Sequence, residues 1–83
     1  MMDMTRSALE IETWLRDRIA ELSKRPAAEI SAERRFDHYG LDSAAALGLT
    51  GELEEWLDRP VDPSLIYECP TIASLAGRLA VHE

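Results

Sequence analysis

The sequence is short of cysteine, of aromatic residues and of long apolar runs. Its 83 residues include one cysteine, Cys69, and aromatic residues make up 6%. A lone cysteine excludes an internal disulfide and a cysteine-rich metal site, and it is typical of a reducing compartment. No run approaches the roughly 20 apolar residues of a membrane span, and the charged N-terminal stretch lacks the apolar segment of a signal peptide. We therefore expect a cytoplasmic protein that does not enter a membrane.

Positive charge is also scarce. Nine lysines and arginines stand against sixteen aspartates and glutamates, which gives a net charge of -7. An acidic surface repels phosphate backbones and anionic lipid, so neither nucleic acid nor a membrane surface is expected as a partner. The same field favours basic patches on other proteins.

The length allows one domain with a small core. Small domains bury only about 60% of the surface that their unfolded chains expose, which leaves little room for a large catalytic cleft. Hydrophobic residues make up 46% and charged residues 30%, a balance typical of a folded globular chain. We expect a single, monomeric domain over residues 1–83 without a large catalytic cleft, and its intact start and short tail favour a free-standing protein.

Apolar spacing predicts an all-α fold. Within residues 7–24 the apolar residues Ile11, Leu15, Ile19 and Leu22 are separated by four, four and three residues. This spacing is typical of the apolar stripe of an amphipathic helix. A second helix is predicted from Ser43 to about Asp58, with Asp42 as its N-cap. Thr71 is expected to cap a last helix, and a short helix is predicted from Pro63 to Tyr67. The result is a small bundle of three principal helices and one short helix. The predicted core stripes are Ile11, Leu15, Ile19 and Leu22 in the first helix and Ile72, Leu75, Ala76 and Leu79 in the last.

The connection over residues 26–42 is long for a compact domain. We expect it to be anchored by apolar residues that dock onto the core, with Ser31 capping a single helical turn. Gly40 suits a tight turn into the second helix. The docking residues are Ile30, Phe36, Tyr39 and Leu41.

The second helix has two different faces. A helical wheel predicts a core arc of Ala45, Ala46, Leu49, Leu53, Trp56 and Leu57. The opposite side contains Ser43, Leu47, Gly48, Gly51, Glu54, Glu55 and Asp58. Ser43 occupies the first helical position, where free backbone amides and the positive end of the helix dipole would stabilise a phosphate ester.

The stretch "YGLDSAAALGLTGELEEWLDRPVDPSLIYECPTIASLAGRL" resembles the acyl carrier proteins, and more closely the carrier domains of polyketide synthases. The similarity covers most of the chain. Its specific elements are the Gly-Leu-Asp-Ser stretch over residues 40–43, the leucine-rich helix that follows, and Pro70 and Thr71 before the last helix. The resemblance implies an acyl-carrier-like fold.

The same resemblance implies a function. A separate Mg-dependent phosphopantetheinyl transferase would attach 4'-phosphopantetheine to Ser43, beside the cap Asp42, and the arm would carry acyl groups as thioesters. The protein would itself catalyse nothing. Its acidic second helix would dock on basic patches of partner enzymes through the outer residues Leu47, Gly48, Gly51, Glu54, Glu55 and Asp58, with Glu52 in the same acidic run.

Two features modify this resemblance. Many relatives have a leucine after the modified serine and an acidic residue one turn later, whereas this chain has Ala44 and Gly48. The stretch "YGLDSAAALGLTGELEEWL" together with "IYECPTI" resembles the sequences of carrier proteins that work beside fatty-acyl-adenylate ligases. Acyltransferases and ketosynthase-type enzymes are the other expected partners. Gly48 and Gly51 each cost the helix up to roughly 1 kcal/mol relative to alanine. Two interpretations stay open: the glycines give partners a flat surface, or they are merely tolerated at exposed positions.

Several alternatives remain. A peptidyl carrier is disfavoured because Leu41 and Asp42 precede the serine in the acyl-carrier manner, and an unmodified adaptor would dock through the acidic helix alone. A serine hydrolase using His38 would lack the G-x-S-x-G elbow and a preceding strand. His38 and His82 do not have metal-ligand spacing, so no metal is expected. Three other residues are expected to serve packing alone: Trp14, Trp56 and Cys69.

Overall fold

The computed structural model describes residues 6–80. They form four α-helices, α1 (Ala8–Ser23), α2 (Ser43–Leu57), α3 (Leu65–Glu68) and α4 (Ile72–Ala80). The predicted bundle of three principal helices and one short helix is therefore confirmed. No helix among the described residues is long and apolar enough to cross a bilayer.

Helix α1 begins with a capping box. The Ser7 hydroxyl accepts from the Glu10 amide at 3.1 Å, and the Glu10 carboxylate accepts from the Ser7 amide at 2.8 Å. Three of its predicted core residues, Ile11, Leu15 and Ile19, are fully buried. The prediction for Leu22 is wrong, because this residue is 42% exposed. It lies in the last turn of α1, where residues 6–80 leave the side chain partly in solvent.

The long connection is anchored as predicted. Ile30, Phe36 and Tyr39 are buried, and the Tyr39 hydroxyl accepts from the Ser31 amide at 2.6 Å and donates to the Ser31 carbonyl at 3.2 Å. Gly40 ends the connection with φ 77°, the left-handed conformation that glycine adopts without strain.

The helical turns of this connection differ from the prediction. Two 3₁₀ turns occur, Ala27–Glu29 and Phe36–Tyr39, and neither is capped by Ser31. The Ser31 hydroxyl accepts from the Glu33 amide at 3.2 Å and so closes a local turn between them.

The connection is pinned to the start of α4. The Phe36 amide donates to the Pro70 carbonyl at 2.8 Å, and the Ala73 amide donates to the Ala32 carbonyl at 2.9 Å. An isolated antiparallel bridge pairs Arg35 with Thr71. These contacts join segments that are far apart in the sequence, and they hold the connection across the bundle.

The C-terminal half of the chain follows the predicted pattern. Helix α3 begins two residues after the predicted Pro63 and ends one residue after Tyr67. The Thr71 hydroxyl accepts from the Ser74 amide at 3.1 Å, which confirms the predicted cap of α4. The α4 residues predicted for the core are buried, and so is Cys69. They are Ile72, Leu75, Ala76 and Leu79.

Candidate functional site

The N-terminus of α2 presents Ser43 to solvent. Asp42 has an extended backbone, and its carboxylate accepts from the Ala45 amide at 2.8 Å, as an N-cap does. The first amides of a helix have no intrahelical acceptor, and Asp42 satisfies only one of them. The Ser43 hydroxyl therefore lies beside the amides of Ser43 and Ala44, at the positive end of a helix of 15 residues.

A small cleft opens next to Ser43. Its volume is about 150 Å³, and it lies between the connection, the first turns of α2 and α3. Arg35 and Asp37 form an ion pair at its rim, with 3.3 Å between Nε and Oδ2. The cleft is lined by Arg35, Phe36, Asp37, Leu41, Asp42, Ser43, Ala46, Ile66, Tyr67 and Pro70.

The residues at this end of the bundle fit a phosphate-linked group on Ser43. The serine and its neighbour Ala44 are both exposed, so an attached group meets no buried side chain. The helix dipole favours an anion at this position by about 0.3–1 kcal/mol. The cleft gives the first atoms of such a group an apolar surface to lie against.

The outer face of α2 is exposed as the helical wheel predicts. Leu47 is 48% exposed, and a Cβ added at Gly48 or Gly51 would have no atom within 4 Å. The carboxylates that follow are also exposed. This outer face, defined as Leu47, Gly48, Gly51, Glu54, Glu55 and Asp58, is flat near Ser43 and acidic further along the helix.

Glu52 does not belong to the outer face. Its two oxygens accept from Arg18 of α1, at 2.7 Å from Nε and 3.1 Å from Nη2. Arg18 also contacts Glu21. The hydrogen bond to Glu52 raises the pKa of the Arg18 guanidinium above its usual value. Glu52 therefore ties α2 to α1, whereas the sequence had placed it with the docking residues.

The sequence did not predict the positions of three further residues: Thr50 in the core and Arg35 and Tyr67 in the cleft. Thr50 is 1% exposed, and its hydroxyl donates to the Leu47 carbonyl at 2.8 Å, which satisfies the polar group inside the core. Arg35 and Tyr67 line the cleft, although they come from segments on either side of α2 in the sequence. Nothing in the local pattern indicates that these segments meet.

The other candidate groups lie apart from Ser43. The His38 ring packs edge-on against Tyr39 with 5.0 Å between centroids, and no hydrogen bond joins it to Ser43 among residues 6–80. His82 lies outside the described residues. Within residues 6–80 no three or more histidine, cysteine or acidic side chains gather in a way that could hold a metal ion.

Replacing Asp42 with alanine should destabilise the domain. Loss of an N-cap costs about 1 kcal/mol, and Asp42→Asn should retain most of the stability because asparagine also accepts from the Ala45 amide. Urea unfolding followed by circular dichroism measures both variants. Equal losses in the two variants would show that the cap hydrogen bond is not the stabilising contact.

Replacing Gly48 or Gly51 with alanine should stabilise the domain. Glycine inside a helix costs roughly 0.5–1 kcal/mol relative to alanine, and both sites have open space for a Cβ. Gly40→Ala is the matched control of opposite sign, since its φ of 77° strains any other residue. Thermal unfolding of the three variants should give two higher melting temperatures and one lower.

Comparisons with known proteins agree on one family. The family model described as the phosphopantetheine attachment site matches residues 13–79. The chain is 31% identical over 80 residues to 6-methylsalicylic acid synthase of Aspergillus terreus, covering 90% of this chain and 4% of the relative. It is also 31% identical over 80 residues to polyketide synthase PksM of Bacillus subtilis, and this match covers 96% of this chain and 2% of the relative. The chain thus spans a very small part of these curated relatives.

Solved structures of similar length share the fold. The acyl carrier protein Asl1650 from Anabaena sp. PCC 7120 is 40% identical, with a TM-score of 0.84 and coverage of 96% of this chain and 93% of that chain. A free-standing peptidyl carrier protein from Acinetobacter baumannii is 30% identical, with a TM-score of 0.81. The match covers 88% of this chain and 91% of that chain.

Proposed function

The chain belongs to the phosphopantetheine attachment-site family of carrier proteins, and from this premise we propose that Ser43 is its attachment point and that its cargo is an acyl group. The prosthetic group of the family is a covalently attached 4'-phosphopantetheine, and its members are generally non-catalytic. One observation supports Ser43 as the attachment point: it is an exposed serine and the first residue of α2, where it lies beside free backbone amides. Under this proposal the chain is itself no enzyme.

The residues around Ser43 serve a covalent anion well. When attached, the prosthetic group supplies a thiol that carries an acyl chain as a thioester. Asp42 holds the first turn of α2 in place, and the amides of Ser43 and Ala44 face the phosphate position. The cleft of about 150 Å³ is smaller than the roughly 300–1,000 Å³ of typical ligand pockets. It therefore suits the near end of the arm or a short acyl group, and a long chain would extend beyond it.

An acyl cargo is favoured over a peptidyl one. Of the two curated relatives described above, PksM is a polyketide synthase by name, and the 40% identical structure is an acyl carrier protein. A peptidyl carrier is the second candidate, because a peptidyl carrier protein is 30% identical to the chain. Loading assays with an acyl-adenylate ligase and with an amino-acid adenylation domain separate the two.

The partners of this proposal act in sequence on one carrier domain over residues 1–83. A phosphopantetheinyl transferase modifies the serine, an acyl-adenylate ligase or an acyltransferase loads the arm, and ketosynthase-type enzymes use the cargo. The exposed outer face of α2 supports docking, since Leu47 offers an apolar contact and three carboxylates follow it. A cytoplasmic setting suits the single buried thiol of Cys69.

Intact-protein mass tests the proposal. The wild-type chain is incubated with coenzyme A, magnesium and a broad-specificity phosphopantetheinyl transferase. A gain of one phosphopantetheine is expected. No gain with several transferases, on protein whose circular dichroism shows a folded helical domain, would favour an unmodified adaptor that docks through its acidic helix.

Charge reversal on the outer face should slow modification. The double variant Glu54→Lys, Glu55→Lys is expected to lower kcat/KM for the transferase about tenfold at low salt, because steering between opposite charges is lost. The gap between variant and wild type should narrow as salt screens the interaction. The double variant Glu29→Lys, Glu33→Lys is the control, since it changes the net charge by the same amount and both residues are exposed but lie in the connection. Equal slowing in both variants would argue for net charge alone.

A further inference from the structure

A second exposed apolar surface lies on the other end of α2. The rings of Trp14 on α1 and Trp56 on α2 stack with centroids 5.3 Å apart and planes inclined by 17°. Leu9, five residues before Trp14 on α1, is 69% exposed. An open groove of about 400 Å³ runs along these side chains, and its lining also includes Glu10, Thr13 and Asp17. This aromatic groove is defined as Leu9, Glu10, Thr13, Trp14, Asp17 and Trp56.

Leu9 is not explained by the core. The buried stripe of α1 consists of Ile11, Leu15, Ile19 and Ala20, and Leu9 lies outside it. Its exposed fraction is the largest of the large hydrophobic side chains among the described residues. A polar residue at this position would leave the packing of the helix unchanged. The leucine therefore adds apolar surface to a groove whose floor is already aromatic.

The protein itself shows which chemistry the groove accepts. The Arg6 guanidinium lies over the Trp56 ring, with 4.5 Å between its central carbon and the ring centroid. It also lies 3.9 Å from a Glu10 carboxylate oxygen. A cation above an indole face is stabilised by about 0.5–1 kcal/mol at an exposed site. Glu10 is engaged by Arg6 and by the Ser7 amide, and Asp17 adds a second carboxylate to the groove lining. The groove thus combines a cation site with an apolar contact at Leu9.

The groove is distant from the site of modification. Trp56 follows Ser43 by 13 residues, and at about 1.5 Å per residue this places it roughly 20 Å along the α2 axis. A partner bound in the groove would leave Ser43 and its cleft free. Docking here can thus occur while an enzyme engages the other end of α2.

We propose that the aromatic groove docks a basic amphipathic helix of a partner polypeptide, with an arginine or lysine over the Trp14–Trp56 pair and an aliphatic side chain against Leu9. Charge complementarity selects this occupant. The chain carries a net charge of -7, and the groove places Glu10 and Asp17 around an aromatic floor. A second copy of this acidic chain would meet like charge, which disfavours self-association at this surface. The proposal does not depend on Ser43 being modified.

The test uses a short synthetic helical peptide with leucines on one face and arginines beside them. Both tryptophans of the chain lie in the groove, so fluorescence excited selectively at tryptophan reports on this surface. Titration should give a saturable fluorescence change. In amide and indole NMR spectra of the full chain, the shifts should centre on Leu9, Thr13, Trp14 and Trp56.

Matched variants separate the groove from general acidity. Leu9→Lys should weaken peptide binding about tenfold, which corresponds to about 1.4 kcal/mol. Leu22→Lys is the control because Leu22 is also an exposed leucine of α1, at its other end. Arg6→Ala should tighten binding about threefold, since it removes the cation that occupies the Trp56 face. Circular dichroism establishes that each variant is folded.

Three results would overturn the proposal. The first is no fluorescence change or NMR shift up to about 1 mM peptide, a concentration that corresponds to only about 4 kcal/mol of binding. The second is equal weakening by Leu9→Lys and Leu22→Lys, which indicates attraction to net charge. The third is a set of shifts centred on the outer face of α2.

Discussion

Replacing Ser43 with alanine is expected to abolish attachment of phosphopantetheine. The substitution removes the only hydroxyl on the first turn of α2 and leaves the Asp42 cap in place, because the Asp42 carboxylate accepts from the Ala45 amide. Intact mass after incubation with coenzyme A, magnesium and transferase should show no gain in the variant and one phosphopantetheine on the wild type. The variant should also fail to accept an acyl group from any loading enzyme.

Ser64→Ala is the matched control for this result. Ser64 is an exposed serine that directly precedes the short helix α3, so it tests whether any serine near a helix start is modified. It should be modified like the wild type. Modification of Ser43→Ala would place the attachment elsewhere. Full stability of the unmodified variant, measured by urea unfolding, would establish that the loss is chemical and not a failure to fold.

Of the substitutions proposed for α2, Leu53→Ala should lower the free energy of unfolding the most. Leu53 lies in the middle of α2 and is fully buried. Truncating a buried leucine costs about 2–5 kcal/mol because it removes apolar burial and leaves a cavity. In a domain of this size each kcal/mol lowers Tm by about 4–8 °C. Urea and thermal unfolding should both report a loss that is a large fraction of the total stability of a small domain.

Leu47→Ala on the same helix is the control. Leu47 is 48% exposed, and its truncation should change the free energy of unfolding by less than about 0.5 kcal/mol, as is usual for surface positions. The two variants remove the same atoms from one helix, so burial is the difference between them. Similar losses would contradict the assignment of the two faces of α2.

Periodicity predicted the helices and most of the core because it depends only on neighbours three and four residues apart. It placed Leu49, Leu53 and Leu57 inside and the outer face of α2 in solvent, as the structure does. It failed for Leu22, which the helical wheel places on the core stripe of α1 but which the other described residues leave exposed. Burial at a helix end depends on the lengths of neighbouring elements, which a helical wheel does not contain.

The candidate site was predictable only in part. Local capping rules placed Asp42 and Ser43 at the start of α2, and the attachment to Ser43 stays a prediction. The cleft was not predicted, since Arg35 and Tyr67 come together where the connection is hydrogen-bonded to the start of α4. The ion pair of Glu52 with Arg18 likewise depends on the packing of α1 against α2. Such contacts between distant segments have no local signal.

The hydrogen bonds between the connection and the start of α4 should make these two segments open as one cooperative unit in hydrogen exchange. The Phe36 amide needs the Pro70 carbonyl, and the Ala73 amide needs the Ala32 carbonyl, so lifting either segment exposes both amides. They should therefore exchange with deuterium through the same opening event. Phe36 and Pro70 also line the cleft at Ser43. Each such opening separates two residues that line this cleft, so an arm attached to Ser43 would lose that contact with the bundle whenever α4 detaches.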